Sequence, residues 1–212
     1  IRDRKRAALH HLYRMMPQKD NQFDAVSASK FFLKSIKANS YKNIFVFGIG
    51  GSCEGPKLLH EFTETKDNLF FITGPDKDEF MSLVKPKLIE KNLYVFISKS
   101  FSTDEVLLSH SWLPKNLTKG DIFAITANKN KAINLGFLEQ NIINFPESIG
   151  GRYSIWSQVS SPVLMPNEFK NFLQGAASID NNVQKKSIVK NALKNIVFHD
   201  IWSNNFLDKK NR

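Results

Sequence analysis

Five short apolar runs punctuate the chain: Asn43 to Phe47, Leu69 to Thr73, Leu93 to Ser98, Asp121 to Thr126 and Ile142 to Phe145. Each is rich in Ile, Val and Phe, and apolar residues follow one another without alternating with polar ones. That pattern predicts strands buried on both faces, as in a parallel sheet. The segments between them, Pro56 to Phe62, Lys77 to Glu90, Thr103 to Trp112 and Lys129 to Leu138, carry apolar residues at helical spacing. Strands alternating with helices predict right-handed crossovers and a three-layer α/β/α sandwich around a five-stranded parallel sheet. Ligands of such folds bind beyond the carboxyl ends of the strands, which tells where to look for chemistry.

The flanks read differently. Residues 1–40 are predicted helical with a turn near Met16-Pro17, and after Pro146 the stretches Ser154 to Gln174 and Lys185 to Phe206 read as helices, the first interrupted by Pro162 and Pro166. The expected organisation is a helical segment over 1–40, an α/β domain over 41–150, and a helical segment over 151–212. A chain of 212 residues with 42% hydrophobic content has room for one sizeable core with terminal helices, not for two.

Composition narrows the partners. The longest apolar runs, such as Ile44 to Phe47, fall far short of the ~20 residues a membrane span needs, so no membrane partner is expected. The charged start without an initiating Met points to a chain that begins inside a longer one. A single cysteine, Cys53, forms no intrachain disulfide and fits a reducing compartment, hence a cytoplasmic location. The net charge of +10 comes from scattered lysines. Only Arg2 to Arg6 and Lys209 to Arg212 form clusters, and aromatic residues do not interleave with basic ones. That distribution argues for a solvated surface attractive to anionic substrates and against nucleic acid.

Three strand-end segments carry candidate chemistry. The first strand runs into Gly48-Ile49-Gly50-Gly51-Ser52, followed by Gly55-Pro56. Glycines let the backbone approach a ligand closely, and N–H groups at a helix start face an anion. The spacing fits neither a dinucleotide fingerprint nor a P-loop; a tight turn without a ligand is the plainer alternative. The third strand ends in Ser98-Lys99-Ser100-Phe101-Ser102-Thr103 before Asp104-Glu105. Four hydroxyls and an ammonium converging on a helix start suit a phosphate dianion, whereas a helix cap needs one hydroxyl. The last segment, Gly150-Gly151-Arg152-Tyr153-Ser154, can hold a guanidinium against developing oxygen anions, or be a surface Arg after a glycine turn.

In this order and at these intervals, the segments resemble glucose-6-phosphate isomerases, which carry Gly-Ile-Gly-Gly-Ser-x-x-Gly-Pro, Ser-Lys-Thr-Phe-Thr-Thr-x-Glu and Gly-Gly-Arg-[Tyr/Phe]-Ser. Weaker echoes are Arg6-Ala7-Ala8-Leu9-His10, Lys190-Asn191-Ala192 and Ile201-Trp202. The resemblance implies the family's N-terminal sugar-isomerase (SIS) fold and the interconversion of glucose 6-phosphate and fructose 6-phosphate without metal or other cofactor. By it, Gly51 and Ser52 contact the sugar phosphate, and Ser98, Lys99, Ser100, Ser102 and Thr103 form the phosphate loop. Gly151 and Arg152 lie by the reacting carbons, Arg152 stabilising a cis-enediol intermediate, and Phe101 is structural. It also implies a homodimer and places the family's glutamate base and its ring-opening histidine and lysine beyond the equivalent of Arg212, so that this stretch alone is expected to be inactive. The competing class is a stand-alone SIS binding or regulatory module that senses a phosphosugar, and a third, plainer reading of the basic charge is an RNA-associated structural domain.

Two departures from the family pattern matter. Ser replaces Thr at 100 and 102, which keeps the hydroxyls, and Glu54 stands where an apolar residue is usual and is expected to point away from phosphate. His10, His11, His60, His110 and His199 all fall in apparent helices, where packing or solvent exposure accounts for them, and Cys53 reads as a small packed thiol.

Overall fold

A computed structural model describes residues 25–63, 68–102, 104–147, 149–185 and 187–206. The N-terminal turn, His10, His11, Thr103 and both basic clusters lie outside these residues. Twelve elements carry the fold: α1 (Ala25–Asn39), β1 (Asn43–Phe47), α2 (Glu54–Glu61), β2 (Leu69–Ile72), α3 (Lys77–Leu83), β3 (Asn92–Ile97), α4 (Asp104–Ser111), β4 (Ile122–Thr126), α5 (Lys129–Asn134), β5 (Ile142–Asn144), α6 (Pro166–Lys185) and α7 (Ser187–Phe206).

The sheet is parallel throughout, in the order β2-β1-β3-β4-β5. Its continuous apolarity has the predicted cause: one face packs on α1, α2 and the start of α6 through Phe32, Leu59 and Phe169, the other on α3, α4 and α5 through Phe80, Val106 and Ala132. Alternate residues of one strand serve opposite layers, Ile44 and Val46 one way, Phe45 and Phe47 the other. On the second face aromatic rings stack across β1 and β3, Phe47 on Phe96 at 4.4 Å between centroids and Phe45 on Tyr94 at 5.6 Å. Paired positions Phe47 and Phe96 share a register, so a slip would break the stack.

Helix ends differ from expectation where proline or glycine intervenes. The segment predicted from Lys77 to Glu90 is α3 followed by a separate 3-10 turn, Lys85–Lys87, because Pro86 has no N–H to continue an α-helix. Asp76 caps α3 by accepting from the N–H groups of Asp78 and Glu79 at 2.8 and 3.1 Å. Downstream, Ser154 to Gln174 is not one interrupted helix. It forms 3-10 turns at Gly151–Trp156 and Gln158–Ser160, and Pro166 opens α6, a position where the missing donor costs nothing.

Candidate functional site

The strand order changes direction between β1 and β3, and at such a switch point the loops leaving adjacent strands diverge and open a crevice. The two loops that diverge here are Gly48–Ser52 and Ser98–Ser102.

After β1 the chain turns through Gly50, whose φ of +56° suits glycine, into a short 3-10 turn, Gly50–Ser52, and then α2. Gly51 is pressed against the last loop. A Cβ there would lie 1.9 Å from the carbonyl oxygen of Gly151 and 3.0 Å from the amide nitrogen of Arg152, so no side chain fits. Ser52 is half-buried beside it, and Glu54 is exposed on the first turn of α2. Cys53 is enclosed: burial first, then the nearby Glu54 carboxylate, push its thiol up to about 12, which leaves it protonated and inert.

The loop after β3 is built from its own hydroxyls. Ser98 is buried and its Oγ accepts the N–H of Phe101 at 3.1 Å, while the exposed Ser100 and Ser102 hydroxyls meet at 2.5 Å. Phe101 occupies the left-handed region at φ +47°, a conformation unfavourable for a bulky residue. Its ring is buried edge-on against Phe137 at 5.3 Å, and this packing holds the turn and gives Phe101 the structural part expected of it. The Lys99 carbonyl accepts from the Ala127 N–H at 3.0 Å and the Thr126 hydroxyl at 3.1 Å, fastening the loop to β4.

The third segment is brought to the other two by side chains. The Lys99 ammonium donates to the Ile149 carbonyl at 3.0 Å, one residue before Gly150-Gly151-Arg152. Ser154 Oγ lies 2.8 Å from the carbonyl oxygen of Gly51 and 2.7 Å from that of Gly151. Arg152 is exposed, and among the described residues its guanidinium has no hydrogen-bond or ion-pair partner. Gly51, Ser52, Ser98, Lys99, Ser100, Ser102, Gly151 and Arg152 thus occupy three loops joined at one sheet edge. A rigid cation left free, with exposed hydroxyls on a neighbouring loop, can bind an oxyanion at one end and meet developing negative charge at the other.

Several supporting residues carry no signal that a sequence reader would trust. Thr126 looks like the end of β4, Ile149 like a loop residue acting only through its carbonyl, and Ser154 like the last letter of a glycine motif. Of the histidines, His110 rests against Phe96 and Phe137, where burial lowers its pKa, His60 is half-buried near Phe71, and His199 is exposed on α7. Among the described residues no group of three or more His, Cys, Asp or Glu side chains is assembled to hold a metal ion, and no helix is long and apolar enough to cross a membrane.

The glucose-6-phosphate isomerase of Buchnera aphidicola subsp. Schizaphis graminum (strain Sg) is 30% identical over 193 residues, covering 84% of this chain and 35% of its own length. That of Stutzerimonas stutzeri (strain A1501) is 31% identical over 175 residues, covering 75% and 32%. This chain therefore spans about a third of the length of the curated relatives it matches. Among solved structures, a glucose-6-phosphate isomerase from Chlamydia trachomatis D/UW-3/Cx superposes with a TM-score of 0.68 at 22% identity, over 85% of this chain and 40% of that one. A hypothetical protein from Thermus thermophilus follows with a TM-score of 0.62 at 21% identity, over 87% and 51%. These two likenesses concern the fold alone. A family model described as phosphoglucose isomerase matches residues 15–212, running through all three loops. The chain belongs to the phosphoglucose isomerase family.

Proposed function

We propose that this chain is the phosphosugar-holding part of a glucose-6-phosphate isomerase, which interconverts glucose 6-phosphate and fructose 6-phosphate in glycolysis and gluconeogenesis. The observation that carries the reading is the junction of three loops at the carboxyl edge of β1 and β3, with the exposed Ser100 and Ser102 hydroxyls on one and the exposed Arg152 on another.

In this reading the 6-phosphate sits on the Ser98–Thr103 loop, where hydroxyls donate hydrogen bonds and the Lys99 ammonium adds charge. Gly51 and Ser52 border the sugar, and Gly151 and Arg152 lie by its first two carbons. Isomerisation removes a proton from the carbon next to the carbonyl, moves the electron pair onto the carbonyl oxygen, and returns a proton to the neighbouring carbon. Arg152 supplies fixed positive charge where that oxygen becomes negative. The sequence is redox-neutral and calls for no cofactor. The proton-moving glutamate and the ring-opening histidine and lysine belong to the family's further residues, so residues 1–212 bind without turning over. The reading extends to a SIS-type domain over 41–150 between helical flanks, a second lobe, a homodimer and a cytoplasmic setting.

A calorimetric titration with fructose 6-phosphate tests it. Removing a charged hydrogen-bonding group in Lys99→Ala is expected to weaken binding by about tenfold or more. Equal affinities for the two proteins would remove the phosphate-loop assignment, and robust isomerase turnover by residues 1–212 alone would overturn the division of labour.

A further inference from the structure

Two ties bracket the exposed Arg152 guanidinium. Upstream, Lys99 Nζ holds the Ile149 carbonyl at 3.0 Å. Downstream, Ser154, only 1% exposed, places its Oγ 2.8 Å from the Gly51 carbonyl and 2.7 Å from the Gly151 carbonyl. A hydroxyl has one proton, so the two carbonyls share it, and a single donor governs the spacing of both loops. Nothing softer fills the gap, because the Gly51 and Gly151 backbones are already in contact where a Cβ would be. Without the shared proton the carbonyl oxygens of Gly51 and Gly151 would face each other without a donor between them, and the loops would separate to admit water. Arg152 follows Gly151 directly and among the described residues has no side-chain partner, so its place is set by this backbone.

We propose that Ser154 is the positioning residue of the site: its hydroxyl clasps the Gly48–Ser52 loop to Gly150–Arg152 and thereby sets Arg152 at the distance a sugar needs. The inference rests on the phosphosugar reading above. Ser154 touches no substrate and works through Arg152, whereas the phosphate end of the pocket, fastened separately to β4 through Lys99 and Thr126, does not depend on it. Loss of the clasp therefore separates recognition of the sugar from recognition of phosphate.

The test measures affinities of wild type, Arg152→Ala, Ser154→Ala, the double variant and Ser154→Thr for fructose 6-phosphate and for inorganic phosphate, with circular dichroism and thermal melting to verify folding. Loss of this partly buried hydrogen bond is expected to weaken fructose 6-phosphate binding about fivefold in Ser154→Ala. Phosphate binding should be unchanged, the double variant should be no weaker than Arg152→Ala, and Ser154→Thr, which keeps the hydroxyl, should recover affinity. If Ser154→Ala does not fold, Ser154→Cys, close in size and a poor donor, takes its place in the same cycle. Wild-type affinity in the Ser154 variant, equal losses for both ligands, or losses that add to those of Arg152→Ala would each overturn the clasp while leaving the phosphosugar reading intact. A wild-type chain that binds phosphate but ignores fructose 6-phosphate overturns that reading, and the clasp with it.

Discussion

The α/β body and the last helix are built from similar residues and treat them in opposite ways. In the body, Phe45, Val46, Phe47, Val95 and Phe96 are essentially inaccessible, sealed between two helical layers. In α7, Phe198 is 69% exposed and Ile196 65%, and Ile188, Val197 and Ile201 are open as well. Apolar residues lie on more than one side of α7, unlike the single stripe of a surface helix, and contiguous exposed patches of this kind are unusual on soluble proteins. The contrast teaches that apolarity alone does not produce burial. In the strands it is matched by alternation between two covered faces, whereas around α7 the described residues cover little of the circumference.

The largest expected effect separates the two regions directly. Phe47→Ala removes a ring stacked on Phe96 and opens a cavity in a sealed layer, which should cost about 3–5 kcal/mol in denaturant unfolding. Phe198→Ala deletes the same side chain from α7 and should stay within about 0.5 kcal/mol. Comparable losses at the two sites would break the comparison.

A smaller effect concerns the pH dependence of the body. His110 is held between Phe96 and Phe137, and burial lowers its pKa below the ordinary 6.5. The unfolded chain, whose histidine keeps the ordinary value, then binds the proton more readily than the folded one. Stability is complete above pH ~6.5 and declines as pH falls below it. In His110→Leu the loss between pH 7.5 and 5.5, measured by urea unfolding, should be shallower than in wild type; an unchanged slope would place the acid sensitivity elsewhere. Smallest of all, Ile196→Lys with Phe198→Glu should leave the unfolding midpoint nearly unmoved while reducing the binding of a hydrophobic dye such as ANS, and undiminished dye binding would locate the accessible apolar surface outside α7.

The legible parts of this protein follow from local rules, and the illegible ones from contacts across the fold. All five strands were readable to within a residue at each end, because double-sided burial forces unbroken Ile, Val and Phe. The loops were readable because glycines, hydroxyls and one arginine gather at strand ends. Beyond reach was the folding of Gly151–Trp156 into a 3-10 turn, which Ser154 organises through a carbonyl in another loop. Equally hidden was the use of the Lys99 ammonium for the Ile149 backbone, since a lysine between serines reads as a ligand for phosphate alone. The proline that seemed to interrupt a helix instead begins one at Pro166, because the preceding 3-10 turns take up the change of direction.

The Ser154 to Gly51 contact joins residues 103 positions apart, and Lys99 to Ile149 joins residues 50 apart. Closing so long a loop has an entropic cost that a single hydrogen bond does not recover until the intervening strands are paired. These two bonds therefore hold the Arg152 loop only where the strands between their ends are already paired. Ligand affinity at this edge then reports on the joining of loops distant in sequence, which helix content, a sum of local contacts, does not.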